Sequence, residues 1–150
     1  MYKFFIYFLI LFTSLIYGCG FHLAHQTSDI NAKLVSSVEN SFTKQVESQF
    51  NKKSKANFII NIADEIKNEQ SVTYTSKGKR NETKIYLRIP IKVYDLSNNL
   101  LFKKTLSANK IISKTGFSQA DDLQIAESYQ QLRRTLANSL LLKLKALNAN

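Results

Sequence analysis

The stretch Thr83-Lys84-Ile85-Tyr86-Leu87-Arg88-Ile89-Pro90-Ile91-Lys92-Val93-Tyr94-Asp95 decides the fold. Successive side chains of a strand point to opposite faces, so a strict alternation of apolar and polar residues marks a half-buried strand. Here Ile85, Leu87, Ile89, Ile91 and Val93 point one way, and Tyr86, Arg88, Pro90, Lys92 and Tyr94 the other. Ser97-Asn98-Asn99 then offers a hairpin turn, and Leu100 to Ile112 returns as the partner strand. Pro90 removes one ladder donor and is expected to mark an edge or a bulge.

Upstream, Phe58, Ile60 and Ile62 alternate with Ile59, Asn61 and Ala63, giving a strand that runs on towards Ile66. Val72 and Tyr74 mark a second, weaker strand, and Ser76-Lys77-Gly78-Lys79-Arg80-Asn81 is a basic turn with glycine where positive φ is easiest. Before the sheet, Leu34, Val35, Val38, Phe42, Val46 and Phe50 recur mostly every four residues. Their spacing predicts a helix from about Asn31 to Phe50, with capping oxygens in Thr27-Ser28-Asp29. After it, Ser118-Gln119-Ala120-Asp121 has a capping-box pattern. A second helix is expected over 119–147, with Leu123, Ala126, Tyr129, Leu132, Leu136, Leu140, Leu144 and Leu147 on its stripe. Helix, strands, helix predicts an α+β fold. The expected form is a two-layer sandwich, with two amphipathic helices on one face of a mostly antiparallel sheet of about four strands. The opposite face then carries Tyr, Lys and Arg.

The chain has 150 residues, enough for one ordinary domain. Its one cysteine excludes an internal disulfide framework and any multi-cysteine metal site. Met1-Tyr2-Lys3 is a short positive start, and Phe4 to Tyr17 is almost unbroken apolar sequence. Fourteen such residues make about 21 Å of helix, short of a bilayer core of about 30 Å, so a signal peptide over 1–18 fits better than a membrane span. Leu15-Ile16-Tyr17-Gly18-Cys19 looks like the lipobox of bacterial lipoproteins, with a bulky Tyr17 where small residues are usual. The competing reading is an ordinary secretion signal or membrane anchor with an incidental cysteine. The only thiol of the chain stands at the one place where diacylation would occur, and that favours a lipid anchor on Cys19. Residues 19–150 are then a single tethered domain.

The formal net charge is +10, from 21 basic and 11 acidic residues. Residues 51–114 hold 14 of the basic and 5 of the acidic ones, so nearly the whole excess lies on the sheet and its turns. Such a field attracts a polyanion. Nucleic acid is the usual guess, and export across the inner membrane argues against it. Lipopolysaccharide, with its phosphates and acid sugars, is the abundant polyanion of an outer membrane, and charge-assisted Lys and Arg contacts suit phosphate. The plain alternative is a lysine-rich surface that keeps a sheet soluble and guards its edges.

Catalytic residues are not evident. His22 and His25 have no co-ligands beside them. Asp64-Glu65 would split across a strand, Asp121-Asp122 suits a helix start, and no nucleophile elbow or glycine-rich phosphate loop occurs. Neither a metal nor a cofactor is implied.

Cys19-Gly20-Phe21-His22-Leu23 is similar to the Cys-Gly-(aromatic)-His-Leu start of the lipopolysaccharide-assembly lipoprotein family LptE, also called RlpB. The run Asn81 to Ile85, Val93-Tyr94-Asp95, the hairpin, Phe102 and the closing helix through Leu144 follow that family's order. The family has a strand between the anchor and the first helix, for which this reading leaves only Phe21 to Asp29. The resemblance implies a non-enzymatic lipoprotein, tethered to the periplasmic side of the outer membrane. It would plug and help assemble the LptD β-barrel and bind lipopolysaccharide during insertion into the outer leaflet. Gly20 in place of Asp resembles an outer-membrane sorting signal. The lipopolysaccharide contact would fall on Lys77, Lys79 and Arg80, and further on Arg88 and Lys92. A stand-alone outer-membrane lipid-binding or transport-accessory lipoprotein is the alternative.

The anchor has a direct test. Cys19→Ala leaves no thiol to acylate, so metabolic labelling with a palmitate analogue should mark the parent protein and not the variant. Label persisting on the variant would overturn the lipoprotein reading.

Overall fold

A computed structural model describes residues 30–36, 40–72, 82–115 and 117–149. Its elements are β1 (Ala32–Ser36), α1 (Ser41–Glu47), β2 (Phe58–Ile62), β3 (Ile66–Val72), β4 (Glu82–Tyr94), β5 (Leu100–Ser113) and α2 (Ser118–Asn148). The architecture is α+β, with two helices against an open, mixed sheet of five strands, one more than the expected four.

β4 is the centre of the sheet. β5 pairs antiparallel along the whole of one side. On the other side β3 covers Glu82 to Arg88 and β2 covers Ile91 to Tyr94, so these two short strands lie end to end against a single long one. β1 adds to β2 in parallel. The alternation in β4 falls as expected. Ile85, Leu87, Ile89, Ile91 and Val93 are buried, and they pack with Phe42 and Val46 of α1 and Leu132, Leu136, Leu140 and Leu144 of α2. The turn is also where the sequence places it: Asn98 takes φ 65°, a left-handed value that asparagine tolerates better than most residues. Asp95 fastens the turn by accepting from the Asn99 amide at 2.8 Å.

Pro90 marks neither an edge nor a bulge of its own strand. It pairs in register with Thr105 in the middle of the sheet. Its carbonyl accepts from the Ala63 N–H at 3.0 Å. In an antiparallel strand a residue's N–H points to the same side as its carbonyl. The missing donor therefore falls where β2 has ended and β3 has not begun, and the neighbour carries the irregularity. The expected single strand from Asn57 to Ile66 is cut there, at Ala63. β3 is largely exposed; Tyr74 lies outside the described residues.

The predicted helix over 31–50 divides into a strand and a short helix. Ile30 and Ala32 are buried and Leu34 is half-buried, with Lys33 and Val35 exposed between them, a period of two. A parallel partner in β2 satisfies this backbone, so a strand does precede α1, over Ala32–Ser36; Phe21 to Asp29 lie outside the described residues. The helical half of the stripe survives in Phe42 and Val46. Its cap is Asn40, not Thr27-Ser28-Asp29: Asn40 Oδ1 accepts from the Thr43 amide at 2.8 Å and hydroxyl at 2.9 Å.

α2 spans the expected residues, but its stripe is rotated near the start. Leu123 is 66% exposed, and Asp121 is buried in its place. Nor does Asp121 complete a capping box. Phe117 is the N-cap and makes no side-chain cap bond. Asp121 Oδ1 instead accepts from the Thr115 amide and hydroxyl at 2.7 and 2.8 Å, fastening the chain between β5 and α2.

Glu65 occupies the break between β2 and β3. Arg133 of α2 meets it in a bidentate pair, Nε to Oε1 and Nη2 to Oε2, both at 2.8 Å. The Phe42 amide, at the start of α1, donates to Oε1 at 3.2 Å, and Lys67 Nζ stands 3.8 Å from Oε2. One carboxylate thus joins the sheet to both helices. The Glu65 side chain is only 8% exposed. Burial works against its charge, but the Arg133 guanidinium, with Lys67 and the Phe42 amide, outweighs this and holds the carboxyl below its ordinary value.

Breaking the pair from one side leaves a buried charge uncompensated. Arg133→Ala should lower stability by about 3 kcal/mol at neutral pH in urea unfolding. A depressed folded-state pKa contributes stability above the unfolded value of about 4.5 and loses it as pH falls through the folded value. The gap between parent and variant should therefore close in acid; a gap that stays constant to low pH would refute this role for Glu65.

Candidate functional site

The ladder register sorts the basic residues of the sheet onto two faces. Residues directly opposite across a ladder share a face. The buried row of β4 therefore takes Phe102, Lys104, Leu106, Ala108, Lys110 and Ile112 of β5 to the helix side. The other face has no described helix upon it. It carries Lys33 of β1, Lys84, Arg88 and Lys92 of β4, and Lys103 of β5, with Glu82 as its acidic residue among those the ladders place.

Along β4 the cations recur every fourth residue, about 13 Å apart, with Tyr86, Pro90 and Tyr94 between and beyond them. Lys84 Nζ lies 5.1 Å from the Tyr86 ring centroid, and the Tyr86 hydroxyl lies 3.4 Å from Gln70 Oε1. Arg88 stands between Ile66 of β3 and Ser107 of β5. Lys92 stands between Asn61 and Lys103. Arg88, Lys92 and Lys103 are all exposed.

Like charges directly opposite on a sheet are destabilising, and Lys92 and Lys103 are such a pair. The arrangement suits an anion held between two ammonium groups, with Arg88 further along the same row to take a second one. Phosphate and carboxylate groups have the required chemistry.

Of the residues singled out from sequence, Arg88 and Lys92 share this open face. Cys19, Lys77, Lys79 and Arg80 lie outside the described residues. Lys103 was not foreseen, because a bulge decides its side. Val93 pairs with Phe102 but Tyr94 pairs with Leu100, leaving Leu101 as an extra residue. Had the ladder run on regularly from the Tyr94–Leu100 pair, Leu101 would face Val93 and Phe102 would face Lys92, and Lys103 would turn towards the helices.

The hollow beside Glu65, about 550 Å³ and lined by Asn40, Ser41, Asp64, Lys67 and Arg133, is a weaker candidate. Glu65 and Arg133 already satisfy each other there. No cluster of His, Cys, Asp and Glu among the described residues could hold a metal ion. Among them, too, no helix is long and apolar enough to cross a membrane.

No family model and no curated protein matches the chain. Solved structures do. Rare lipoprotein B from Shewanella oneidensis superposes with a TM-score of 0.66 at 12% identity, over 79% of this chain and 96% of that one. An uncharacterized lipoprotein B from Nitrosomonas europaea gives 0.64 at 16% identity, over 87% and 94%. A minor lipoprotein from Acinetobacter baumannii gives 0.57 at 14%, over 79% and 95%. The chain has the fold of these lipoproteins over nearly their whole length.

The opposed lysines make a stability prediction. Lys103→Gln removes the repulsion while keeping the aliphatic stem, and should raise stability by roughly 0.2–1 kcal/mol in urea unfolding at low salt. The gain should shrink as salt screens the parent. A loss of stability would mean that the two ammonium groups do not repel across the ladder.

Proposed function

We propose that this chain is an outer-membrane lipoprotein of the LptE (RlpB) family, anchored through Cys19 on the periplasmic side. In this reading it plugs and helps assemble the LptD β-barrel and binds lipopolysaccharide on its way to the outer leaflet. The observation that carries the proposal is a cationic sheet face with no described helix upon it, on a lipoprotein B fold, in a chain that carries Cys19-Gly20-Phe21-His22-Leu23 after its apolar start. The role is non-enzymatic, one of binding and assembly. Lys92, Lys103 and Arg88 would meet phosphate groups of the saccharide core or lipid, and Lys77, Lys79 and Arg80, in the segment before β4, would add a second contact. The alternative, a stand-alone lipid-binding lipoprotein, would use the same cations without a barrel.

A mild-detergent pull-down of the tagged lipoprotein separates these readings. Co-purification of a large outer-membrane barrel supports the plug; its absence from a well-folded, lipidated bait supports the stand-alone protein. Lipopolysaccharide binding by Lys92→Glu/Lys103→Glu and by Lys77→Glu/Lys79→Glu/Arg80→Glu tests the sites. Each set should weaken binding sharply and reduce its salt dependence. Undiminished binding in both would reduce these residues to solubilising surface.

A further inference from the structure

One end of the molecule gathers apolar tips and lysines, of which the sheet-face site uses Lys103 alone. The start of β1, the loop before β2, the β4–β5 hairpin and the end of α2 all meet there. The Asn57 amide donates to the Asn31 carbonyl at 2.8 Å, and Asn57 Nδ2 donates to Asn148 Oδ1 at 2.8 Å. Tyr94 and Leu100 close the hairpin beside Ile59 of β2. The hairpin tip leaves Leu96, Leu100 and Leu101 exposed, Leu96 at 63%, and Leu142 of α2 is exposed at 67%.

Around these lie two groups of exposed or half-exposed lysines. Lys52, Lys53 and Lys55 sit on the loop before β2. Lys103, Lys104 and Lys143 border a cleft of about 320 Å³ with Phe102, Ala146 and Leu147. Lys143 lies so near Lys104 that hydrogen bonding with it and repulsion from it hold the Lys143 amine below its ordinary value. The negative end of the α2 dipole favours cations here, but it does not account for the lysines of the β2 loop or for leucines left in water. Large apolar side chains rimmed by cations are the make-up of a surface that settles into a lipid interface, where lysine stems run along apolar matter and the ammonium groups reach phosphate.

The course of the chain names the occupant. Cys19 is eleven residues before Ile30, a reach of at most about 40 Å, and Ile30 enters the fold at this same end. We propose that this end lies on the anionic phospholipid surface that holds the anchor, with Leu96 and its neighbours in the headgroup layer and the lysines against lipid phosphates. The inference rests on the reading of Cys19 as lipidated. It adds an orientation: the domain stands with its hairpin tip down, and β3 and the start of α2 point away from the membrane.

The chain contains no tryptophan, so a single one reports its own surroundings. Leu96→Trp is made in the lipidated protein and incorporated into vesicles of phosphatidylethanolamine and phosphatidylglycerol. Its emission should move to shorter wavelength, and brominated acyl chains should quench it at least about twofold more than Leu123→Trp at the opposite end. Lys104→Glu/Lys143→Glu, added to Leu96→Trp, should abolish the shift while the protein still floats with the vesicles. If Leu96→Trp does not fold, Leu100→Trp carries the same measurement. A vesicle-bound protein whose tryptophan stays in water overturns the docking and leaves the anchor standing. A protein that does not float with vesicles overturns the anchor and the docking together. A shift that requires added barrel protein overturns the lipid surface as the occupant.

Discussion

Five aliphatic side chains on alternate positions of β4 have almost no contact with water, and most of the molecule is arranged to keep them so. Burying Ile85, Leu87, Ile89, Ile91 and Val93 contributes roughly 10 kcal/mol before opposing costs, as much as the net stability of an ordinary domain. A strand buried on one face in mid-sheet must have its backbone paired on both sides. β5 does this in one piece. The other side is filled in two pieces, and the interval between them falls where Pro90 offers no donor. Two short strands share it, and the interval between them delivers Glu65 to Arg133. The proline, the broken strand and the buried ion pair meet at that interval.

The sequence made legible what depended on local pattern. The two faces of β4, the Asn98 turn and the span of α2 all follow from alternation, turn chemistry and four-residue spacing. What depended on a distant partner was not legible. Residues 32–36 carry a helix-like spacing with Phe42 and Val46, and only the free edge of β2 makes them a strand. Asp64-Glu65 reads as a pair split across a strand, and nothing local announces the guanidinium from 68 residues later that stands against Glu65. Asp121 fits a capping box in pattern, yet its carboxylate is taken by Thr115. Of the candidate site, Arg88 and Lys92 were readable because they sit on the best strand. Lys103 was not, since its side depends on a bulge that composition does not announce.

The basic excess of residues 51–114 resolves into two adjoining surfaces once the strands are in register. One is a row of cations along the sheet face that no described helix covers, spaced by tyrosine and proline. The other is a cluster at the end where the chain enters the fold, mixed with leucines. A saccharide-bearing polyanion and a lipid headgroup layer both carry phosphate, but they differ in shape. An extended row fits the first, and a tip with apolar points fits the second. The same net charge can thus serve orientation at the membrane and handling of a ligand, with Lys103 at the border of the two.

The extra residue at Leu101 has a consequence for how this protein can vary. The bulge absorbs that residue, so the positions from Phe102 onwards keep the sides they would have in its absence. Loss of Leu101 alone would leave Phe102 opposite Val93 and Lys103 opposite Lys92 in a plain ladder. Keeping the residue while losing the bulge would exchange the two faces of β5, sending Lys103, Thr105 and Ser107 under α2 and bringing Phe102 and Leu106 into water. Among descendants of this chain, the bulge and its extra residue should therefore come and go together.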